Sequence, residues 1–143
     1  CFDALIQPRH LPVIREIALR YPGLKIVVDH IAKPAMGGGQ APEQAWLDGM
    51  SELAALHNVH CKLSGVVTEI GPDWQLSDIA PCLDHVLTIF GPQKVMYGSD
   101  WPVVNLASDY VTWRGVVDDA LADLPPDQRR QIMGGNAARF YNL

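Results

Sequence analysis

The sequence predicts a parallel α/β fold, and three observations carry that prediction. Short apolar runs alternate along the whole chain with longer stretches of helical periodicity. The runs are rich in β-branched residues and nearly unbroken, as suits strands covered on both faces. They begin roughly 22, 35 and 35 residues apart, close to the ~30 residues of one unit in a (β/α)8 TIM barrel. Four such units make about half a barrel, which leaves two bare strand edges and an uncovered layer of inward side chains.

Each element has its own signature. Phe2–Ile6 reads as the first strand, and "HLPVIREIALRYPG" follows with Leu11, Ile14, Ile17 and Ala18 at helical spacing before Pro22-Gly23 ends it. Leu24–His30, "LKIVVDH", is the second strand. The loop containing Gly37-Gly38-Gly39 leads to a helix over 42–57, with Trp46, Met50, Leu53 and Leu56 on one side. Val59–Gly65 is the third strand. A polar loop then precedes the helix "LSDIAPCLDHVLTIFG", whose Pro81 falls within the first turns, where proline is tolerated. Lys94–Asp100 is the fourth strand, and two closing helices span about 106–124 and 126–141, the second announced by Pro125-Pro126-Asp127.

Composition narrows the function. With 48% hydrophobic and 19% charged residues the chain is ordinary for a globular domain, and nothing marks a linker or a second domain. Net charge is −5 and the eleven Lys and Arg are scattered, which argues against nucleic acid as a partner. Three cysteines, Cys1, Cys61 and Cys82, are odd in number and widely spaced, the pattern of reduced thiols in a cytoplasmic protein. No run approaches the ~20 apolar residues of a membrane span, and no signal peptide opens the chain. A first residue of Cys, with a strand beginning at once, suggests a piece of something longer.

In parallel α/β folds functional groups gather where strands end. The second strand ends at Asp29-His30, the third at Ser64-Gly65 and the fourth at Ser99-Asp100. Strand alternation predicts that only one of Asp29 and His30 faces the axis of the sheet's curvature. His30 and Asp100 would then share one rim, an imidazole and a carboxylate able to move a proton, polarise a carbonyl or hold a metal. The plainer alternative, that His30 is a satisfied half-buried histidine and Asp100 caps the next turn, is equally compatible with the residue types. Lys33 would offer a positive charge to an anionic substrate, and Trp101 a platform for a ring. Thr68 and Glu69 lie in a loop that could reach the rim. The triple glycine lacks the pattern of a phosphate loop, Ser64 and Ser99 lack the G-x-S-x-G elbow, and His10, His57, His60 and His85 read as structural or exposed.

Taken together, "VVDHIAKP", "CKLSG", "MYGSDWPV" and "IMGGNAARFYNL" resemble the amidohydrolase superfamily, in the branch that includes L-fuconolactonases, L-rhamnonolactonases and 2-pyrone-4,6-dicarboxylate lactonase. The resemblance runs over essentially all 143 residues, and the middle stretch looks more like the sugar-lactone members. It implies a TIM barrel of which this chain supplies the last four β/α units, residues 1–143 forming the C-terminal half as a single domain. It matches His30 to the histidine ending the sixth strand and Asp100 to the aspartate ending the eighth. It implies hydrolysis of a sugar lactone, with Asp100 as general base, His30 polarising the carbonyl, and Lys33, Trp101 and Ser64 toward the substrate. Zinc or a similar ion serves many members, whereas some lactonases of this branch work without one. The family's H-x-H pair is absent here, so this chain alone is not expected to bind metal tightly. A metal-dependent decarboxylase of the same superfamily and an inactive fragment with a scaffold role are the alternatives. The expected partner is a small molecule, with homo-oligomerisation left open.

Overall fold

The computed structural model describes all 143 residues and contains one four-stranded parallel sheet in the order β1-β2-β3-β4. The strands are β1 Phe2–Ala4, β2 Ile26–Val28, β3 Val59–Leu63 and β4 Val95–Tyr97. Phe2 pairs with Ile26, Val28 with Cys61 and Leu63 with Tyr97, so all four strands end at one edge. Parallel pairing demands a crossover between consecutive strands, which the helices supply.

The pleat divides the sheet's residues by function. Val59, Cys61 and Leu63 of β3 are fully buried beneath the helical layer. That layer consists of α1 Leu11–Arg20, α2 Gln44–Ala54, α4 Leu76–Phe90 and α5 Tyr110–Ala120, with the five-residue α3 Val66–Ile70 between β3 and α4. Its core is built from Leu11 and Ile14 of α1, Trp46, Met50 and Leu53 of α2, Ile79 and Leu83 of α4, and Trp113 and Val117 of α5. Each aliphatic side chain so buried contributes about 1.5–3 kcal/mol. The opposite face carries Val27, His60, Lys62 and Met96, covered in part by Phe140 and Tyr141 of the C-terminal α7 Asn136–Tyr141.

Two asparagines fasten loops that no strand or helix satisfies. Asn58, 6% exposed, donates to the carbonyls of Ala18 and Leu24, fixing the end of α1 against the start of β3. Asn136, 2% exposed, donates to Pro92 and Val95 at 2.7 Å each, so the G-N of the terminal motif locks α7 beside the start of β4. Left unmade, such buried bonds cost about 1–3 kcal/mol each.

Several local expectations change, and β1 and β4 end at Ala4 and Tyr97, short of the expected Ile6 and Asp100. The second strand stops at Val28, and Asp29–Ala32 form a tight turn. The stretch after Gly65, expected as loop, is α3. The helix expected from about 106 begins at Tyr110, because Asp109 caps it by accepting the Thr112 amide at 2.8 Å. The last helix is interrupted: α6 Pro126–Arg130 passes into a wider turn at Gln131–Gly135 before α7, since Gly134 departs from helical geometry. Pro81 does lie inside α4, in its second turn.

Candidate active site

The functional edge begins with an unusual piece of backbone. His30, Ile31, Ala32 and Lys33 all have positive φ, at 51°, 47°, 61° and 50°. A left-handed conformation costs an L-residue about 1–2 kcal/mol, and four in succession persist only under outside constraint. The constraint comes from several directions. Trp46 of α2 donates its indole N–H to the Ile31 carbonyl at 2.8 Å within the core. The Lys33 amide closes the turn onto the His30 carbonyl at 2.9 Å. Beneath it, Lys62 Nζ lies 2.8 Å from both Asp29 Oδ1 and Asp3 Oδ2, an ion triad joining β1, β3 and the turn after β2.

That turn overrides strand alternation. Asp29 reaches Lys62 while its neighbour His30 reaches the sheet's carboxyl edge, and neither is sent to the helical layer. His30 Nδ1 is 2.9 Å from Ser64 Oγ at the end of β3. His30 Nε2 is 3.6 Å from Asp100 Oδ1, beyond β4. Asp100 itself has φ 56°, so the strain at this edge sits on both partners. Both side chains are largely enclosed, 22% and 11% exposed, which raises the strength of any charge interaction between them.

Gly65 makes this approach feasible. It has φ 64°, and a Cβ at that position would lie 2.4 Å from His30 Nδ1 and 2.5 Å from Cγ. No side chain fits there while the imidazole holds its place. Gly98 plays a lesser version of the same part, since a Cβ would meet Ser64 Cβ at 2.9 Å.

The other expected residues divide. Ser64 is 2% exposed behind the imidazole, so it acts through His30. Lys33 is ion-paired with Glu69 of α3 at the rim, and Thr68 Oγ1 turns back to donate to the Gly65 carbonyl. Trp101 is 67% exposed next to Asp100. Trp46, Lys62 and Gly65 were not expected as site residues. Trp46 was visible only as one apolar member of a helix face, although a buried indole N–H ordinarily requires an acceptor.

Charges on the face carrying Lys62 are strongly organised. Burial alone would lower the Lys62 ammonium, but its bonds to Asp29, Asp3 and Tyr141 outweigh this and raise it. Asp3 is lowered: burial opposes the shift, and the bonds from Lys62 and Tyr141 overcome it. His60, one layer below, is pushed down to about 4, first by burial and then by Lys94, Arg139 and Lys25. Its Nδ1 is buried without a partner, and the ring packs edge-on against Phe140. His60 is therefore neutral at physiological pH. Burial holds the thiols of Cys61 and Cys82 protonated, Cys82 at about 11, which excludes both as nucleophiles.

Residues 2–143 match the amidohydrolase family. The chain belongs to that family. It is 47% identical over 146 residues to an L-fucono-1,5-lactonase of Burkholderia ambifaria, covering 99% of this chain and 50% of the relative. An L-rhamnono-gamma-lactonase of Scheffersomyces stipitis is 26% identical over 90% of this chain and 44% of its own length. A crystal structure of an amidohydrolase from Burkholderia multivorans with bound zinc superposes with a TM-score of 0.89 at 40% identity, covering 99% of this chain and 52% of that one. The chain thus spans about half the length of the relatives it matches.

Structural or catalytic zinc takes three or four protein ligands. His30 Nε2 and Asp100 Oδ1 are the two donors that converge here, and no group of three or more His, Cys, Asp or Glu side chains is placed to hold a metal ion. The Ser64 hydroxyl at Nδ1 does orient the imidazole so that Nε2 is presented, as ligating histidines usually are. Two donors do not make a zinc site.

Proposed function

We propose that the complete protein containing this chain is a lactonase of the amidohydrolase family that opens a sugar lactone to its hydroxy acid. In this reading the four strands form the C-terminal half of a (β/α)8 barrel, and the remainder of the protein brings the H-x-H strand to the same mouth. A divalent ion such as zinc belongs to this proposal only through ligands from that other half. The observation that carries the reading is the convergence of His30 and Asp100 at the sheet's carboxyl edge, both on backbone of positive φ.

The chemistry follows from the two groups. Asp100 accepts a proton from a water molecule as the water oxygen attacks the lactone carbonyl carbon. Negative charge develops on the carbonyl oxygen, and the His30 imidazole, oriented by Ser64, polarises that oxygen and stabilises the oxyanion. Collapse of the tetrahedral intermediate breaks the ring C–O bond, and Asp100 returns its proton to the leaving alkoxide. The hydroxy acid then ionises, so each turnover releases one proton to solution. A lactone is already an activated ester, so water with a general base suffices without a nucleophilic side chain. In the same reading Lys33 and Trp101 serve as substrate contacts.

The test is acid release, followed by a pH indicator, when the complete protein is given a panel of aldonolactones. Turnover on at least one, reduced about 10²–10⁴-fold by Asp100→Asn, is the expected result. No turnover on any lactone refutes the proposal.

A further inference from the structure

We infer that Glu69 is a specificity-determining residue: by cancelling the charge of Lys33 it restricts the site to neutral, hydroxylated lactones and turns away those bearing a carboxylate. The inference rests on the lactonase reading and deepens it.

A cleft of about 470 Å³ opens among the loops that follow β1, β2 and β3. Arg9, Lys33, Glu43 and Glu69 are its charged lining, two cations against two carboxylates. The cleft adjoins the turn that carries His30, since Lys33 lines it and the amide of Lys33 is bonded to the carbonyl of His30. Of the two cations, Lys33 is not free. Lys33 Nζ is paired with Glu69 Oε1, and each side chain is 29% exposed. A lysine alone at this place would attract an anionic substrate, which is what the sequence suggests for it. The pair does the reverse. A ligand carboxylate reaching Lys33 must displace Glu69 or lie beside it, and like charges in a half-enclosed cleft repel. A hydroxylated neutral ring meets an ammonium and a guanidinium as donors and two carboxylates as acceptors, and brings no charge that must be stripped of water. Specificity of this kind works through a repulsive element as much as an attractive one.

The lysine and the glutamate come from different elements, the turn after β2 and the helix α3. Their pairing therefore also sets the separation of those two walls, so a ligand that broke it would have to widen the cleft.

The experiment compares kcat/KM of the complete protein on an aldonolactone and on an aldaric monolactone, which has the same type of ring with a carboxylate at its far carbon. Glu69→Gln should raise the anionic-to-neutral ratio about two- to fivefold, the scale of one freed, partly screened charge pair. Added salt should shrink the gain. Glu69→Ala should act in the same direction, and Lys33→Gln combined with Glu69→Gln should return the ratio to the wild-type value. A ratio that does not move in either single variant, or that the double variant leaves high, overturns the inference. Wild-type protein that hydrolyses the neutral lactone while the ratio stays fixed overturns this inference alone. Wild-type protein that hydrolyses neither lactone overturns the lactonase reading itself.

Discussion

Replacing Gly65 by alanine should disable the site while leaving most of the fold in place. The new methyl group would stand 2.4–2.8 Å from Nδ1, Cγ and Cβ of His30, closer than real side-chain contacts allow. One of the two must move, and the imidazole is the freer. Alanine at φ 64° adds about 1–2 kcal/mol of backbone strain. Relieving the clash adds about 1–3 kcal/mol, typical of an overfilled site. The sum, about 2–5 kcal/mol, should be tolerable for a large domain and would appear as a lowered melting temperature. The effect on chemistry should be larger. An imidazole shifted by an ångström loses both Ser64 at 2.9 Å and its alignment with Asp100, and misplacement of that size costs about 10²-fold in rate. Gly91→Ala is the control, because Gly91 has φ 66° with open space where its Cβ would go, far from His30 in the sequence and at the end of α4. It should be destabilised at least as much by backbone strain and keep its kcat. Lactone hydrolysis and thermal melts of both variants decide the matter. If Gly65→Ala keeps kcat within twofold of wild type, or if Gly91→Ala loses as much, the reasoning about His30 placement is wrong.

Trp46→Phe removes the indole donor from the Ile31 carbonyl and should cost about 1–3 kcal/mol of stability. It should also lower kcat with KM little changed, whereas Met50→Leu on the same buried helix face should lower neither; a melt and a Michaelis–Menten series read both. His60 gives a pH signature. Its folded value near 4 lies below the ordinary 6.5, so its contribution to stability is complete above pH 6.5 and is lost as the pH falls toward 4. The unscreened ceiling is about 3.4 kcal/mol, and solvent screening of a half-buried ring reduces it to about 1–2 kcal/mol. Chemical denaturation at pH 7 and pH 4.5 should show that slope, and His60→Phe should flatten it. Lys62→Met strands Asp29 and Asp3 without their cation; denaturant titration should show a loss of about 2–4 kcal/mol, most of it recovered when both carboxylates are also neutralised to Asn.

The sheet and its edge were legible because apolar, β-branched runs ending in Ser-Gly or Ser-Asp leave little choice for β3 and β4. The direction of His30 was not. Local preference for every residue from His30 to Lys33 is against a left-handed path, and only Trp46, Ser64 and Lys62, distant in sequence, impose it. A pattern that reports one neighbour at a time cannot register such a constraint. Helix α3 escaped notice for a different reason, as "VVTEI" is too short to display a helical period. The cation at Lys33 was legible but its partner was not, because only the fold brings Glu69 of α3 to it.

The mirror-handed segment at positions 30–33 has a consequence for how the protein should fail. It is a wound spring whose catch is the packing of α2, so slight loosening of that helix lets it relax long before the sheet comes apart. Function should vanish at denaturant concentrations where circular dichroism still reports an intact fold. Conversely, D-alanine placed at position 32 by chemical synthesis would find its natural geometry there, and should hold the segment in shape where the native enantiomer must be forced.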